Sequence, residues 1–214
     1  MAGCYPRIMG LREEYAGLSD EELVRRFQAG ERHTSFTLLI ERYQKRIYFG
    51  ARKLTGGDHD EADEVAQETF VKVYEALDSF RGEAKVYTWM YRIMMNAVIH
   101  KSRRKKIRKD VDLDEVAEVL ESKDASPVEG LERRELTSLI EAAIETLPQK
   151  QREVFIMRFY EEMPYEEIAQ ISGTSVGGLK ANYFHAIKKI GEYVQRAGSV
   201  TLSSAIAKAG YHGS

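Results

Sequence analysis

Apolar residues along most of this chain recur at intervals of three and four, the spacing of amphipathic helices, and nowhere do they alternate as in a half-buried strand. Ser19 and Glu22 have the spacing of a capping box, and Leu23, Val24 and Phe27 follow on one face. Phe36, Leu39, Ile40, Tyr43, Ile47, Ala51 and Leu54 predict a second helix, which Gly56 and Gly57 should end. Val65, Phe70, Val73, Tyr74 and Leu77 predict a third, with Trp89, Ile93 and Ala97 as the core face of a fourth that starts near Lys85. From about Arg104 to Glu132 the apolar pattern fades, charge dominates, and Pro127 and Gly130 interrupt it, which reads as a linker. Leu136, Leu139, Ile140, Ala143, Ile144 and Leu147 then resume the helical spacing, and Pro148 opens a further helix. The expected fold is all-α, with two small helical domains at 18–105 and 132–196 joined by a charged flexible linker at 106–131. An N-terminal extension (1–17) and a disordered tail rich in Ala, Ser and Gly (197–214) flank them.

The second domain contains the clearer binding pattern. Tyr165, Ile168, Ala169 and Ile171 make a short helix, Gly173 a turn, and Ser175 a cap for a longer helix that buries Val176, Leu179, Tyr183, Ala186, Ile187, Ile190 and Val194. Two helices joined by a short glycine turn form a helix-turn-helix, although an ordinary helical hairpin fits the same spacing. The outer face would present Ser175, Gly177, Gly178, Lys180, Ala181, Asn182, His185 and Lys189. Small residues there permit close approach to a major groove, Asn182 suits adenine, and lysines suit phosphate or guanine.

Composition narrows the function classes. A single cysteine, Cys4, excludes an internal disulfide framework and a multi-cysteine zinc site. His33, His59, His100, His185 and His212 are scattered, and Asp58, His59, Asp60 and Asp63 lack a glycine-centred calcium loop, so no catalytic set, metal or cofactor is expected. No apolar run approaches the roughly 18 residues of a membrane span, and the N-terminus lacks a secretory pattern, so a cytoplasmic protein is expected. The net charge of −2 hides sorted blocks: six carboxylates without a cation over 58–68, seven cations without a carboxylate over 101–109, and ten carboxylates against three cations over 110–135. Blocks of this kind usually have partners, solvation being the plainer account of the last one.

The fourth helix crowds Tyr87, Trp89 and Tyr91 among Met90, Met94 and Met95, close to Arg81, Arg92 and the basic run. Any one of these aromatics is most simply core. As a group, with Tyr87 and Tyr91 four apart and off the Trp89 face, they suit a surface that stacks unpaired bases while cations hold the backbone.

The stretch Asp63-Glu64-Val65-Ala66-Gln67-Glu68-Thr69-Phe70-Val71-Lys72-Val73-Tyr74, then Phe80-Arg81-Gly82, then Tyr87-Thr88-Trp89-Met90-Tyr91-Arg92-Ile93 with Asn96, resembles region two of the extracytoplasmic-function sigma factors. Leu147-Pro148, Arg152-Glu153-Val154-Phe155, Tyr165-Glu166-Glu167-Ile168-Ala169 and Ser175-Val176-Gly177 resemble region four, and the two sets occur in the family's order. The resemblance implies a non-enzymatic specificity subunit of bacterial RNA polymerase. Asp60, Asp63, Glu64, Gln67 and Glu68 would dock on the clamp helices of the largest polymerase subunit. Ser79, Phe80, Arg81 and Gly82, with Tyr87, Tyr91, Arg92 and Asn96, would open and read the downstream promoter element, and the helix-turn-helix would read the upstream one. An anti-sigma protein is the implied regulator, and the free protein would be monomeric. Gly178 stands where the family commonly has Thr, and Asn182 and His185 where it has Arg, so guanidinium groups that grip guanine are missing from the upstream reader. The rival from another class is a stand-alone helix-turn-helix regulator whose N-terminal helices serve dimerisation, against which the aromatic segment with Phe80-Arg81-Gly82 speaks.

Overall fold

The computed structural model describes residues 17–109 and 129–197, with side chains over 17–105 and 136–197. Apart from Gly17 and Ala197, the expected N-terminal extension and tail lie outside the described residues, as does most of the expected linker. The chain divides into two units between Arg103 and Arg104. The first holds α1 (Asp20–Gln28), α2 (Arg32–Leu54), α3 (His59–Ala76), a 3-10 turn (Leu77–Ser79) and most of α4 (Val86–Lys109). The second holds α5 (Glu129–Glu145), α6 (Gln149–Phe155), a π turn (Ile156–Tyr160), α7 (Tyr165–Ser172) and α8 (Val176–Arg196). All these elements are helical, and no strand occurs among the described residues.

The helix ends follow local chemistry. Ser19 Oγ accepts the Glu22 N–H at 3.2 Å, Asp58 Oδ1 that of Glu61 at 2.9 Å, and Ser175 Oγ that of Gly178 at 3.3 Å, each satisfying an amide that the first helical turn leaves open. At the end of α7, Gly173 takes φ +66 and returns its N–H to Ala169 O at 2.9 Å, a left-handed cap that glycine adopts without steric cost. Pro148 sits one position earlier than expected, at the N-cap of α6 with ψ 142, and Gln149 is the first helical residue.

In the first unit the core joins Leu23 and Phe27 of α1, Leu39, Ile47 and Ala51 of α2, Ala62, Val65 and Val73 of α3, and Met90, Tyr91, Met94 and Ala97 of α4. The packing of α4 corrects the sequence reading. Its buried face is built on Tyr87, Met90, Tyr91, Met94, Met95 and Val98, whereas Trp89 and Ile93 are half-buried. The aromatic face turns inward because α2 receives it. The Tyr43 and Tyr87 rings stack with centroids 5.3 Å apart, and the Arg46 guanidinium lies 3.8 Å from the Tyr87 ring centroid. At Gly50 a Cβ would come within 3.2 Å of Tyr91 Cε2 and 3.3 Å of Met94 Cε, so the glycine admits both side chains. The face predicted for α3 also differs: Val65, Val73 and Leu77 are buried, but Phe70 is half-buried and Tyr74 is 40% exposed. Ala62, Ala66 and Thr69 take the inward positions, the Thr69 hydroxyl donating to Val65 O at 2.7 Å.

The second unit packs Leu136, Ala143, Ile144 and Leu147 of the α5 segment against Phe155 and against Ala186, Ile190 and Val194 of α8. Phe155 stacks on Phe159 at 5.1 Å and on Tyr183 at 6.0 Å, joining the π turn to α8 through aromatic faces.

Two consequences can be measured. Tyr91→Ala empties a fully buried site and should cost about 3–5 kcal/mol, as other buried aromatic truncations do, read as a lower urea midpoint of the first unit. Glu153 behaves differently. Burial raises its carboxyl pKa, opposed by the Gln149 amide that donates to it at 2.9 Å and by Lys150 and Arg152. Between the unfolded and the raised folded value the folded chain binds the extra proton, so stability falls as pH rises through that interval. Glu153→Gln should therefore raise the melting temperature at neutral pH, and the gain should vanish below the unfolded carboxyl value of about 4.3.

Candidate protein and nucleic-acid interfaces

The first surface lies on α2 and α3. With Ala62, Val65, Ala66 and Thr69 buried, the helical period places Asp60, Asp63, Glu64 and Gln67 on the exposed side, and Glu68 is half-buried at its margin. The cluster is less purely anionic than its sequence. Glu64 forms an ion pair with Lys101 from the basic run, and Glu68 binds Lys72 at 2.5 Å. Beside these residues runs an open groove of 1140 Å³ between α2 and α3, lined by Phe36, Ile40, Tyr48, Phe49, Phe70, Val71 and Tyr74, with Asp63, Gln67 and Glu75 along its α3 wall and Gln44 and Lys45 along its α2 wall. Phe49 is 48% and Val71 58% exposed, large apolar surface left uncovered by the chain's own core. The sequence reading found the acidic rim and missed the groove, because Phe70 and Tyr74 share the spacing of true core positions.

The second surface is the loop between α3 and α4 with the outer face of α4. Ser79 closes the 3-10 turn, its hydroxyl donating to Ala76 O at 2.7 Å. Arg81 is exposed, and Gly82 takes φ +75, a left-handed conformation that turns the chain toward α4. Arg92 and Asn96 are exposed on α4, one turn apart. Tyr87 and Tyr91, expected beside them, are 8% and 0% exposed, so neither ring offers a face to a base. They lie on the opposite side of the helix because the α2 contact claims them. The aromatic pair that does border Arg92 and Asn96 is Phe80 with Trp89, centroids 5.1 Å apart and both half-buried. Assigning Trp89 to the core hid this pair from the sequence reading.

The third surface is the outer side of α8. Ser175, Gly177, Lys180, Ala181, His185 and Lys189 are exposed, while Gly178 and Asn182 are half-buried at the edge of the face. A Cβ at Gly178 would meet Thr174 Cγ2 at 3.2 Å and Ser175 Oγ at 3.3 Å. Phe184, absent from the sequence-derived set, is 65% exposed. Its position two residues before buried Ala186, about 200° round the helix, is a signal that helical arithmetic supplies. Gly177, Ala181, Phe184 and Lys188 thus make the central stripe, at spacings of four, three and four, with Asn182 to one side and Lys180 to the other. Lys180 Nζ lies 5.7 Å over the Tyr165 ring, which Arg158 also approaches at 5.4 Å, so one aromatic at the start of α7 steadies two cations.

Among the described residues no group of His, Cys, Asp or Glu is arranged to hold a metal ion, and no helix is long and apolar enough to cross a membrane.

Comparison with known proteins gives the family. The model of Sigma-70 region 2 matches residues 39–107, and that of Sigma-70, region 4, matches residues 137–190. The RNA polymerase sigma-H factor of Pseudomonas aeruginosa is 36% identical over 183 residues, which span 82% of this chain and 94% of that protein. The ECF RNA polymerase sigma-E factor of Escherichia coli K12 is 37% identical over 187 residues, 83% and 95% of the two chains. Among solved structures, the sigma factor RpoE of Bartonella quintana, in complex with the anti-sigma factor NepR, aligns with a TM-score of 0.59 at 22% identity over 75% of this chain and 96% of that one. CnrH, in complex with the cytosolic domain of CnrY, aligns at 0.59 and 21% over 84% and 99%. These two likenesses give the fold. Both family regions matched in order, with more than a third of positions identical over nearly the full length of the relatives, establish that the chain belongs to the sigma-70 family as an ECF RNA polymerase sigma factor.

Proposed function

We propose that the three surfaces divide the work of promoter-specific initiation, with the groove between α2 and α3 as the polymerase-docking site. The observation that carries this is the uncovered apolar floor beside Asp60, Asp63, Glu64, Gln67 and Glu68. An apolar trough whose α3 side is acidic suits an amphipathic helical partner with a basic flank on that side, which fits the clamp helices implied by the family resemblance. In this reading Lys101 and Lys72 hold Glu64 and Glu68 extended until partner cations replace them.

The loop Ser79-Phe80-Arg81-Gly82 with Arg92 and Asn96 is the proposed reader of the downstream element, Phe80 and Trp89 supplying the aromatic edge and Arg81 and Arg92 the cations. In place of base stacking, Tyr87 and Tyr91 would set the position of α4 from within the core. The outer stripe of α8 is the proposed reader of the upstream duplex, where Phe184 offers apolar contact to a thymine methyl and Lys180 and Lys189 reach phosphate or guanine. Asn182 reaches a base only along one edge of the face. Polymerase would supply all the chemistry and this chain, acting in the cytoplasm, none. The region 2 match over 39–107 weighs against a stand-alone regulator. Control by an anti-sigma protein and a monomeric free state complete the proposal, the RpoE–NepR complex being the supporting precedent.

Two experiments test the division. Val71→Asp places a carboxylate on the groove floor at an exposed position, so the helical circular-dichroism signal should persist while co-elution with core polymerase is lost. Reversal of Asp63 and Glu64 to lysine should act in the same direction. Retained co-elution of both folded variants would move the docking site elsewhere. On duplex DNA carrying the upstream element, Phe184→Ala should cost about 1–3 kcal/mol at one base position, whereas Lys180→Ala should weaken all sequences alike and flatten the salt dependence. Salt titration of binding to matched and substituted sites separates these outcomes.

A further inference from the structure

Helix α1 ends on Gln28, and its side chain reaches a segment about fifty positions further along the chain. The amide Nε2 lies 3.1 Å from Leu77 O, 3.3 Å from Asp78 O and 3.1 Å from Phe80 O. Three converging carbonyls accept from one amide at the place where α3 has ended and α4 has not begun. Four positions on, at the start of α2, Arg32 Nη2 lies 2.7 Å from Asp78 Oδ2, and its guanidinium rests 5.1 Å over the Phe27 ring. One strip of chain, the end of α1 with the turn into α2, therefore holds the near side of the loop by both backbone and side chain. The far side is held separately, by the Phe80 ring against Trp89.

We infer that Gln28 and Arg32 are positioning residues for the downstream promoter element: they clamp Leu77 to Phe80 so that Arg81 and Gly82 are presented in one fixed geometry. The inference rests on the reading of this loop given above. Neither residue need touch DNA. A loop that reads unpaired bases gains selectivity when its backbone is already in place, because a mobile loop would adapt to the wrong base as well. Gln28 is itself exposed, so replacing it leaves the core intact, and a change in base preference can be separated from a change in folding.

The experiment uses the full chain with core polymerase on a promoter found by run-off mapping, in a pre-melted form, with each base in turn at each downstream-element position. Gln28→Leu removes the donors, and Gln28→Glu sets a carboxylate against the three carbonyls. Each should reduce discrimination among downstream bases by roughly two- to tenfold, the worth of one or two net hydrogen bonds, with polymerase co-elution unchanged and the melting temperature lowered only by the few degrees that loss entails. Arg32→Asp and Asp78→Arg should each relax the preference, and the two together, with the ion pair reversed, should restore it. Arg81→Ala is the control for the loop itself. If Arg81→Ala relaxes the preference while both Gln28 variants discriminate like the parent, the clamp is overturned and the reading of the loop stands. If Arg81→Ala also leaves the preference intact, the reading of the loop fails and the clamp falls with it. Loss of discrimination that merely follows a lowered melting temperature, with no rescue by the reversed pair, would assign these contacts to stability and overturn the inference.

Discussion

Helix α4 approaches α2 so closely that Gly50 leaves room for the Tyr91 ring and the Met94 side chain and for nothing more. The neighbouring turns repeat the constraint with larger groups, Tyr43 stacking on Tyr87 and the Arg46 guanidinium resting over the same ring. Burial and donation to Asp20 hold the Tyr43 hydroxyl protonated, and Arg42 closes on the same carboxylate, so α1 is tied into the contact as well. A helix whose inner face is occupied by two tyrosines and three methionines has little freedom to rotate, because any turn about its axis would expose aromatic surface and open voids. The outward direction of Arg92 and Asn96 follows from that inner contact.

The same reasoning accounts for what the sequence did and did not disclose. Helix number, caps and terminating glycines were legible because each depends on a few adjacent residues: Ser19, Asp58 and Ser175 cap as their types require, and Gly173 ends α7 in the left-handed region. The choice of buried face on α4 was not legible. Eight of its first ten residues are apolar or aromatic, so periodicity alone leaves the inner side undetermined until α2 supplies Gly50 as the receiving notch. The groove was hidden for a related reason. Phe70 and Tyr74 repeat at the interval of a core stripe, and only the packed structure shows that Tyr74 meets Phe36 edge-on at 5.0 Å while Phe70, Ile40 and Tyr48 line an open groove. Phe184 was within reach of helical arithmetic, since it lies about 200° round the helix from buried Ala186.

Charge shows the complementary limitation. The acidic run over 58–68 has no cation of its own, yet Lys101 and Lys72 fold against Glu64 and Glu68, and the basic run that supplies Lys101 thereby loses part of its positive field. Such surface pairs are individually weak, about 0–1 kcal/mol, so they restrain side chains without locking them. That weakness suits a docking rim, since a partner presenting cations can displace Lys101 at small cost. Local charge counts therefore exaggerate the field of each block while still marking where an oppositely charged partner would be accommodated.

The two proposed DNA-reading surfaces differ in how they are held, and the difference matches the substrates assigned to them. The outer stripe of α8 belongs to one rigid helix whose inner side is fixed by Ala186, Ile190 and Val194, and a straight helix is what a regular major groove can receive. An unpaired base has no regular groove to match and suits a site assembled from separate segments. The loop from Leu77 to Gly82 has that form. It takes its near edge from Gln28 and Arg32, its far edge from Trp89, and its direction from the positive φ of Gly82. A loop held by neighbouring helices at Leu77, Asp78 and Phe80 can keep Arg81 exposed and yet presented in one place, which a helical position could achieve only by committing the whole helix to that direction.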